Sequence, residues 1–298
     1  MEYHDPVLLK ESLEGLITRG DGIYIDATFG GGGHSKKIIE KLSAEGHLYG
    51  FDQDADVLPN ITEDERFTFL HYNFRYLQRI LRLHGIEKVD GILADLGVSS
   101  HQFDDASRGF SYRFEAELDM RMDQQQAITA AEILNTYEVD TLQNIFSQYG
   151  EVRNAKTLAQ AIVRERGNRP ITTTGDFMMV IDGVIRGNRI RYLSQVFQAL
   201  RIEVNDEMGA LKDFLAGSLE VLKPGGRLVI ISYHSLEDRM AKQFLKSGNF
   251  EGTVEKDFFG NINRPFKLIS KKAISPTEEE IKRNPRARSA KMRIGEKK

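Results

Sequence analysis

The chain has 298 residues, 40% of them apolar, and a formal net charge of −3, the balance of a globular protein with one large or two interlocked domains. It has no cysteine, which excludes disulfides, cysteine zinc sites, iron–sulfur clusters and a thiol nucleophile. Apolar runs such as Leu228 to Ile231 are too short to cross a bilayer, and the start Met1-Glu-Tyr-His-Asp5 has neither a basic nor an apolar stretch. No membrane contact, no secretory signal and a cytoplasmic location are therefore expected.

The small net charge conceals a gradient. Residues 1–103 carry 10 basic and 17 acidic side chains, residues 264–298 carry 12 and 4, and residues 164–201 carry 7 and 3. An acidic first third with two basic segments suits a chain that meets a polyanion with part of its surface.

In chain order, residues 22–26 form a short apolar run ending in Asp26, followed by glycines at 30–33 and a helical pattern over 35–42. Residues 47–52 read as a second strand, 67–71 as a third, 75–83 as a helix and 89–95 as a fourth strand; the second and fourth again end in a carboxylate, Asp52 and Asp95. This β-α-β-α-β order without a hairpin signal predicts a parallel sheet with right-handed crossovers. From 104 to 205 no buried strand is expected. Helical patterns stand there instead, at 127–135, 139–148, 155–166 and 174–186, and a long one runs from Leu193 to Leu222. Lys223-Pro-Gly-Gly226 should stop that helix. A strand at 227–233, a helix at 236–245 and two strand-like pieces at 265–270 and 290–294 complete the pattern. The expected organisation is an α/β domain of residues 1–103 and 206–298, interrupted by a helical domain of 104–205.

The glycine run lies between a strand and a helix, where the backbone can approach a ligand and aim helix N–H groups at it. No Gly-Lys-Ser/Thr follows, which argues against triphosphate hydrolysis. Asp52, about twenty residues on, suits the two hydroxyls of an adenosine ribose. These two features do not separate a dinucleotide from S-adenosylmethionine. The passage Leu222-Lys-Pro-Gly-Gly-Arg-Leu228 does better, because it resembles the approach to the fifth strand in S-adenosylmethionine-dependent methyltransferases.

Further motifs resemble one family closely. They are Asp95-Leu-Gly-Val-Ser-Ser100, Leu118-Asp-Met-Arg-Met-Asp123, Phe197-Gln-Ala-Leu-Arg-Ile-Glu-Val-Asn205, Ile231-Ser-Tyr-His-Ser-Leu-Glu-Asp-Arg239 and Asn284-Pro-Arg-Ala-Arg-Ser289. With the opening His4-Asp-Pro-Val-Leu-Leu9 and Asp26-Ala-Thr-Phe-Gly-Gly-Gly-Gly-His-Ser35, they are similar to the RsmH/MraW family, the bacterial 16S ribosomal RNA (cytosine-N4)-methyltransferases. The likeness runs over essentially the whole chain. It departs at Arg189-Ile-Arg-Tyr-Leu-Ser-Gln195, where the family often has a His-Pro-Ala-Thr-Arg-Thr-like approach.

The resemblance implies a Rossmann-like class I methyltransferase fold, mainly parallel, with an inserted all-helical domain for RNA recognition. It implies S-adenosylmethionine as methyl donor, and a cytidine of the decoding centre in 16S RNA of the small subunit as substrate. Carried over position by position, Gly32, Gly33 and His34 would contact the cofactor, Asp52 its ribose and Phe74 its adenine. Asp95 and Gln102 would complete the pocket. Cytosine N4 is a poor nucleophile, so an acceptor must draw on its N–H as the bond forms. The Asn/Asp-Pro-Pro-aromatic turn of many amino-methylating enzymes is replaced here by Asp95-Leu96-Gly97-Val98. Asp95 or His234, at the ends of the fourth and fifth strands, is the expected acceptor; a packing or RNA-contact role is an equal alternative for His234. No histidine pair has metal-ligand spacing with carboxylates, so no metal is expected in catalysis.

Phosphate contacts are expected from Arg164, Arg166, Arg169, Arg186, Arg189 and Arg191 in the insertion, and from Arg286, Arg288, Lys291 and Arg293 in the tail. The apolar stripes of the insertion suit either a monomer or a homodimer. Competing readings are a small-molecule or protein methyltransferase, a nicotinamide-dependent oxidoreductase, and an assembly factor with a vestigial pocket.

Overall fold

A computed structural model describes residues 6–253 and 264–298, apart from the side chain of Ser100, so His4 and Asp5 of the opening motif lie outside the described residues. In chain order the first elements are α1 (Leu9–Leu16), β1 (Ile23–Asp26), α2 (Gly33–Ile39), β2 (His47–Asp52), β3 (Phe67–His71), α3 (Leu77–Leu83) and β4 (Val89–Asp95). Six helices follow: α4 (Ser100–Asp104), α5 (Ala130–Thr136), α6 (Val139–Gln148), α7 (Ala155–Arg166), α8 (Thr174–Asp182) and α9 (Arg189–Asn205). The chain then runs through α10 (Glu207–Val221), β5 (Leu222–Ser232), α11 (Ser235–Ser247), β6 (Phe266–Leu268), α12 (Glu278–Arg283) and β7 (Lys291–Lys297).

Two compact units result, residues 1–97 with 208–298, and residues 98–207. These limits differ by a few residues from those read off the pattern. Val98 packs against the helical core, and Glu207 is held by Arg201 at 2.7 Å, so both ends of the crossing belong to the helices.

The first unit is a seven-stranded sheet in the order β3-β2-β1-β4-β5-β7-β6. Strands β1 to β5 pair in parallel, while β7 runs antiparallel to both β5 and β6. This is the mainly parallel, Rossmann-like sheet that the resemblance implies. Its central strand β4 is buried along Val89–Ala94, as a strand covered on both faces must be. One core cluster includes Ile25, Phe51, Ile92, Phe214 and Phe244; a second includes Leu16, Tyr24, Leu48, Val229 and Ile294.

The Lys-Pro-Gly-Gly passage is not a plain turn. α10 stops at Val221, Leu222 already pairs with Val89, and the register then shifts before Arg227 pairs with Gly91. The four residues form a bulge within β5, where Gly225 takes φ +80°. Three helices have no counterpart in the pattern read above, α1, α4 and α12.

The second unit is helical, with one isolated bridge between Glu117 and Thr173 among the described residues. Its core includes Leu134, Phe146, Leu158, Phe177, Val196 and Leu200. Capping boxes decide where three of its helices begin, the first at Ser99 and Gln102 ahead of α4. Thr129 and Glu132 start α5 at Ala130, and Thr173 and Asp176 start α8 at Thr174. α8 ends at Asp182, before the expected 186, with Gly183 as its C-cap.

Candidate active site

In a parallel sheet, strand ends and the loops that follow them gather at one edge. Here that edge of the sheet unit carries Asp26, the loop Phe29–His34, Asp52, Phe74, Asp95 and Tyr233. Gly30 and Gly32 take φ +50° and +73°, and a Cβ on Gly32 would lie 3.1 Å from the Phe29 ring. The loop therefore folds tightly because it lacks side chains. The Asn60 Nδ2 donates to the Gly30 carbonyl at 3.2 Å and ties the loop to the segment after β2.

Asp52 accepts from the Gly30 N–H at 2.8 Å through Oδ2, and from the Asp54 N–H at 2.9 Å through Oδ1. Each oxygen keeps a second lone pair, so the carboxylate can still take two hydroxyls. Burial pushes this carboxyl up to about 6 against the two N–H bonds that lower it. Asp26 is fully buried, accepts from Ser35 Oγ at 2.7 Å and from the Thr28 N–H at 3.2 Å, and is likewise raised by burial to about 6. Its position locks the start of α2 to the end of β1.

Asp95 sits between two side chains. The Tyr233 hydroxyl donates to Oδ1 at 2.8 Å, and His34 Nδ1 lies 3.8 Å from Oδ2. The Asp95 N–H donates to Thr28 Oγ1 at 2.7 Å, which fixes the backbone there. Burial raises the Asp95 carboxyl to about 6, against the hydrogen bond from Tyr233 that lowers it. His34 Nε2 lies 3.1 Å from the Val7 carbonyl. A carbonyl only accepts, so Nε2 carries the hydrogen and the neutral ring turns a lone pair toward Asp95. Burial lowers the His34 pKa, in keeping with that neutral form.

The other expected site residues fall as follows. Gly33 begins α2, under the Pro6 ring. Phe74 opens a single 3₁₀ turn after β3, half-buried and edge-on to Phe214 at 5.2 Å. Gln102 belongs to the helical unit, where its Oε1 accepts from the Ser99 N–H at 2.9 Å in a capping box. His234 is the N-cap of α11: its Nδ1 accepts from the Glu237 N–H at 3.4 Å and its Nε2 lies 3.1 Å from Glu237 Oε1. Tyr233 was not singled out in the sequence, although it stands in a quoted motif at the end of β5; only its distance to Asp95 marks it.

The basic side chains divide into two groups. Arg166 donates to the carbonyls of Leu134 and Tyr137 at 2.8 and 2.6 Å, and Arg293 to Asp238 at 2.7 Å. Both are half-buried and turned inward. Arg164, Arg169 and Arg189 are exposed but ion-paired with Glu165, Asp176 and Asp182. Arg186, Arg191, Arg286, Arg288 and Lys291 are exposed.

A glycine loop cleared of side chains, followed by a strand-end carboxylate with free lone pairs, fits an adenosine-bearing cofactor. The MraW methylase family matches this chain over residues 1–298. The ribosomal RNA small subunit methyltransferase H of Parabacteroides distasonis is 58% identical over 297 residues, covering 99% of this chain and 97% of that one. Its namesake from Bacteroides thetaiotaomicron is 58% identical over 299 residues, covering 100% and 98%. That of Flavobacterium johnsoniae is 56% identical over 298 residues, again covering 100% and 98%. A match along the whole length at such identity, with the loop and the strand-end carboxylates in place, has one meaning: the chain belongs to the MraW methylase family.

Proposed function

We propose that this protein is an S-adenosylmethionine-dependent ribosomal RNA methyltransferase that acts on the exocyclic N4 of a cytidine in the decoding centre (P site) of 16S RNA, in the small subunit. The names of the relatives support the ribosomal substrate, and the residues of this chain support the chemistry. The observation that carries it is Asp95, a recessed carboxylate beside the glycine loop, held on one oxygen by Tyr233.

In this reading Gly32, Gly33 and His34 hold the cofactor with Asp52 on its ribose, and Phe74 and Gln102 contribute as the family implies. When bound, S-adenosylmethionine would supply an electrophilic methyl on a sulfonium, the S–CH3 bond breaking to release the neutral thioether S-adenosylhomocysteine. Asp95 accepts the N4–H and so raises the electron density on nitrogen as the bond to carbon forms; the proton passes to the carboxylate. A carboxyl near 6 is poised for that work at neutral pH. His234 is the weaker choice of acceptor, since both its ring nitrogens face Glu237. The target base must leave any stack to reach such a site. The helical unit serves RNA recognition, with phosphate contacts from Arg164, Arg169, Arg189 and Arg191, joined by Arg286, Arg288 and Lys291 of the tail.

The test offers methyl-labelled S-adenosylmethionine, purified protein, and either 30S subunits or naked 16S RNA, followed by nucleoside mass analysis. N4-methylcytidine is the expected product. Cofactor binding without label in either RNA would overturn the substrate while leaving the fold and the cofactor site standing.

A further inference from the structure

Two motifs have no part in the reaction described so far, the opening Pro6-Val-Leu8 and the tail around Asn284, and they meet within the sheet unit. Val7, Leu8, Ala287 and Ala290 are buried in one cluster. Leu8 is the N-cap of α1, a place usually taken by Ser, Thr, Asp or Asn, and its side chain provides no cap. It also adopts φ 52° and ψ 38°, a left-handed conformation disfavoured for any residue with a Cβ. Such a conformation persists only where neighbours hold it.

Glu280 is the neighbour that does. In a capping box the N-cap N–H is taken by a carboxylate three residues later. Glu11 stands at that position, yet the Leu8 N–H donates at 2.7 Å to Oε1 of Glu280, 272 positions along the chain. Glu280 is itself set in the first turn of α12, its N–H donating to the Thr277 hydroxyl at 3.2 Å.

The strained Leu8 directs the two residues before it onto the glycine loop. A Cβ on Gly33 would come within 2.5 Å of Pro6 Cγ, so the proline ring lies against the first residue of α2. The Val7 carbonyl takes the His34 Nε2 hydrogen at 3.1 Å, which aims His34 Nδ1 at Asp95. We propose that Glu280 is a positioning residue of the cofactor loop: by holding the Leu8 N–H it fixes a strap, Pro6 to Leu8, that keeps Gly33 and His34 in place. This rests on the reading of that loop as the S-adenosylmethionine site.

The experiment compares wild type with Glu280→Ala, Glu280→Gln and Pro6→Ala in the full chain. Titration calorimetry gives the S-adenosylmethionine Kd, and hydrogen exchange gives the protection of the loop amides. Glu280→Ala is expected to weaken the cofactor about tenfold, the size of one charge-assisted hydrogen bond, and to speed exchange at Gly32–Ser35. Glu280→Gln keeps an acceptor oxygen and stays within about threefold of wild type. Pro6→Ala shifts both readouts in the same direction by less. A Glu280→Ala protein that melts earlier yet keeps its Kd and loop protection would overturn the proposal, for then the bond only stabilises the fold. Wild type that failed to bind S-adenosylmethionine would overturn the cofactor reading instead, and the exchange comparison would still decide on the strap.

Discussion

The two units handle charge in opposite ways. In the sheet unit Asp26, Asp52 and Asp95 are drawn in at strand ends, where backbone N–H groups and hydroxyls meet them but burial still pushes each carboxyl up to about 6. In the helical unit the charged side chains lie mostly outside, and several arginines are paired with carboxylates nearby in sequence. The lesson concerns charge counts. A net charge of +4 over residues 164–201 overstates what that stretch presents to an RNA, while three acids at one sheet edge matter more than the −7 of the first third suggests.

The largest effect should come from breaking the sheet side of this contrast. Asp95→Asn keeps the shape and removes the acceptor, so single-turnover methylation of 30S subunits should slow by about 10²–10⁴-fold. Unchanged turnover would remove Asp95 from the proton's path.

Next comes the helical side. Gly109 takes φ +70°, and a Cβ there would lie 2.3 Å from the Glu117 carbonyl oxygen. Gly109→Ala should cost about 2–4 kcal/mol in chemical denaturation, from the left-handed conformation and the clash together. Cofactor affinity, whose proposed contacts other than Gln102 lie in the sheet unit, should stay within about twofold of wild type if the units are energetically separate. A parallel loss of cofactor binding would show that they are not.

The pH dependence sharpens the electrostatic half. A carboxyl raised to about 6 in the folded chain binds its proton there while the unfolded chain, near 3.9, has released it. Asp26 should therefore stabilise the cofactor-free protein less as pH climbs from about 4 through about 6. The melting temperature of wild type relative to Asp26→Asn should fall over that window. Binding of a cation at the same edge should show the reverse trend, with S-adenosylmethionine affinity falling by up to about a hundredfold per pH unit below about 6 as Asp52 and Asp95 each take up a proton.

The smallest effects separate inward from outward arginines. Arg166→Ala removes two carbonyl partners at the end of α5 and should cost about 1–3 kcal/mol of stability without changing RNA affinity. Arg191→Ala should leave stability alone and lower the salt slope of RNA binding by about 0.7–0.9. Matching behaviour of the two variants would erase the distinction.

Much of this was legible in the sequence. Alternating apolar runs placed β1 to β4 to within a residue, since a strand's period and its terminal carboxylate are local properties of five or six residues. The apolar period placed the start of α5 at 127, and the capping box of Thr129 and Glu132, not read in the sequence, sets it at Ala130. The helix α1 went unread although Leu9, Leu13 and Leu16 recur at helical spacing, for its N-cap Leu8 gives no start signal, while α12 is mostly charged and buries no residue, so it shows no apolar period.

By itself the sequence determined the fold class, the glycine loop and the three strand-end acids, because each is written in neighbouring residues. Only the tertiary structure decided which groups these acids meet. Tyr233 reaches Asp95 across 138 positions, Glu280 reaches Leu8 across 272, and Arg166 turns to carbonyls about thirty positions back. Such pairings depend on where the sheet and the helices bring distant backbone together, and a one-dimensional pattern holds no record of that distance.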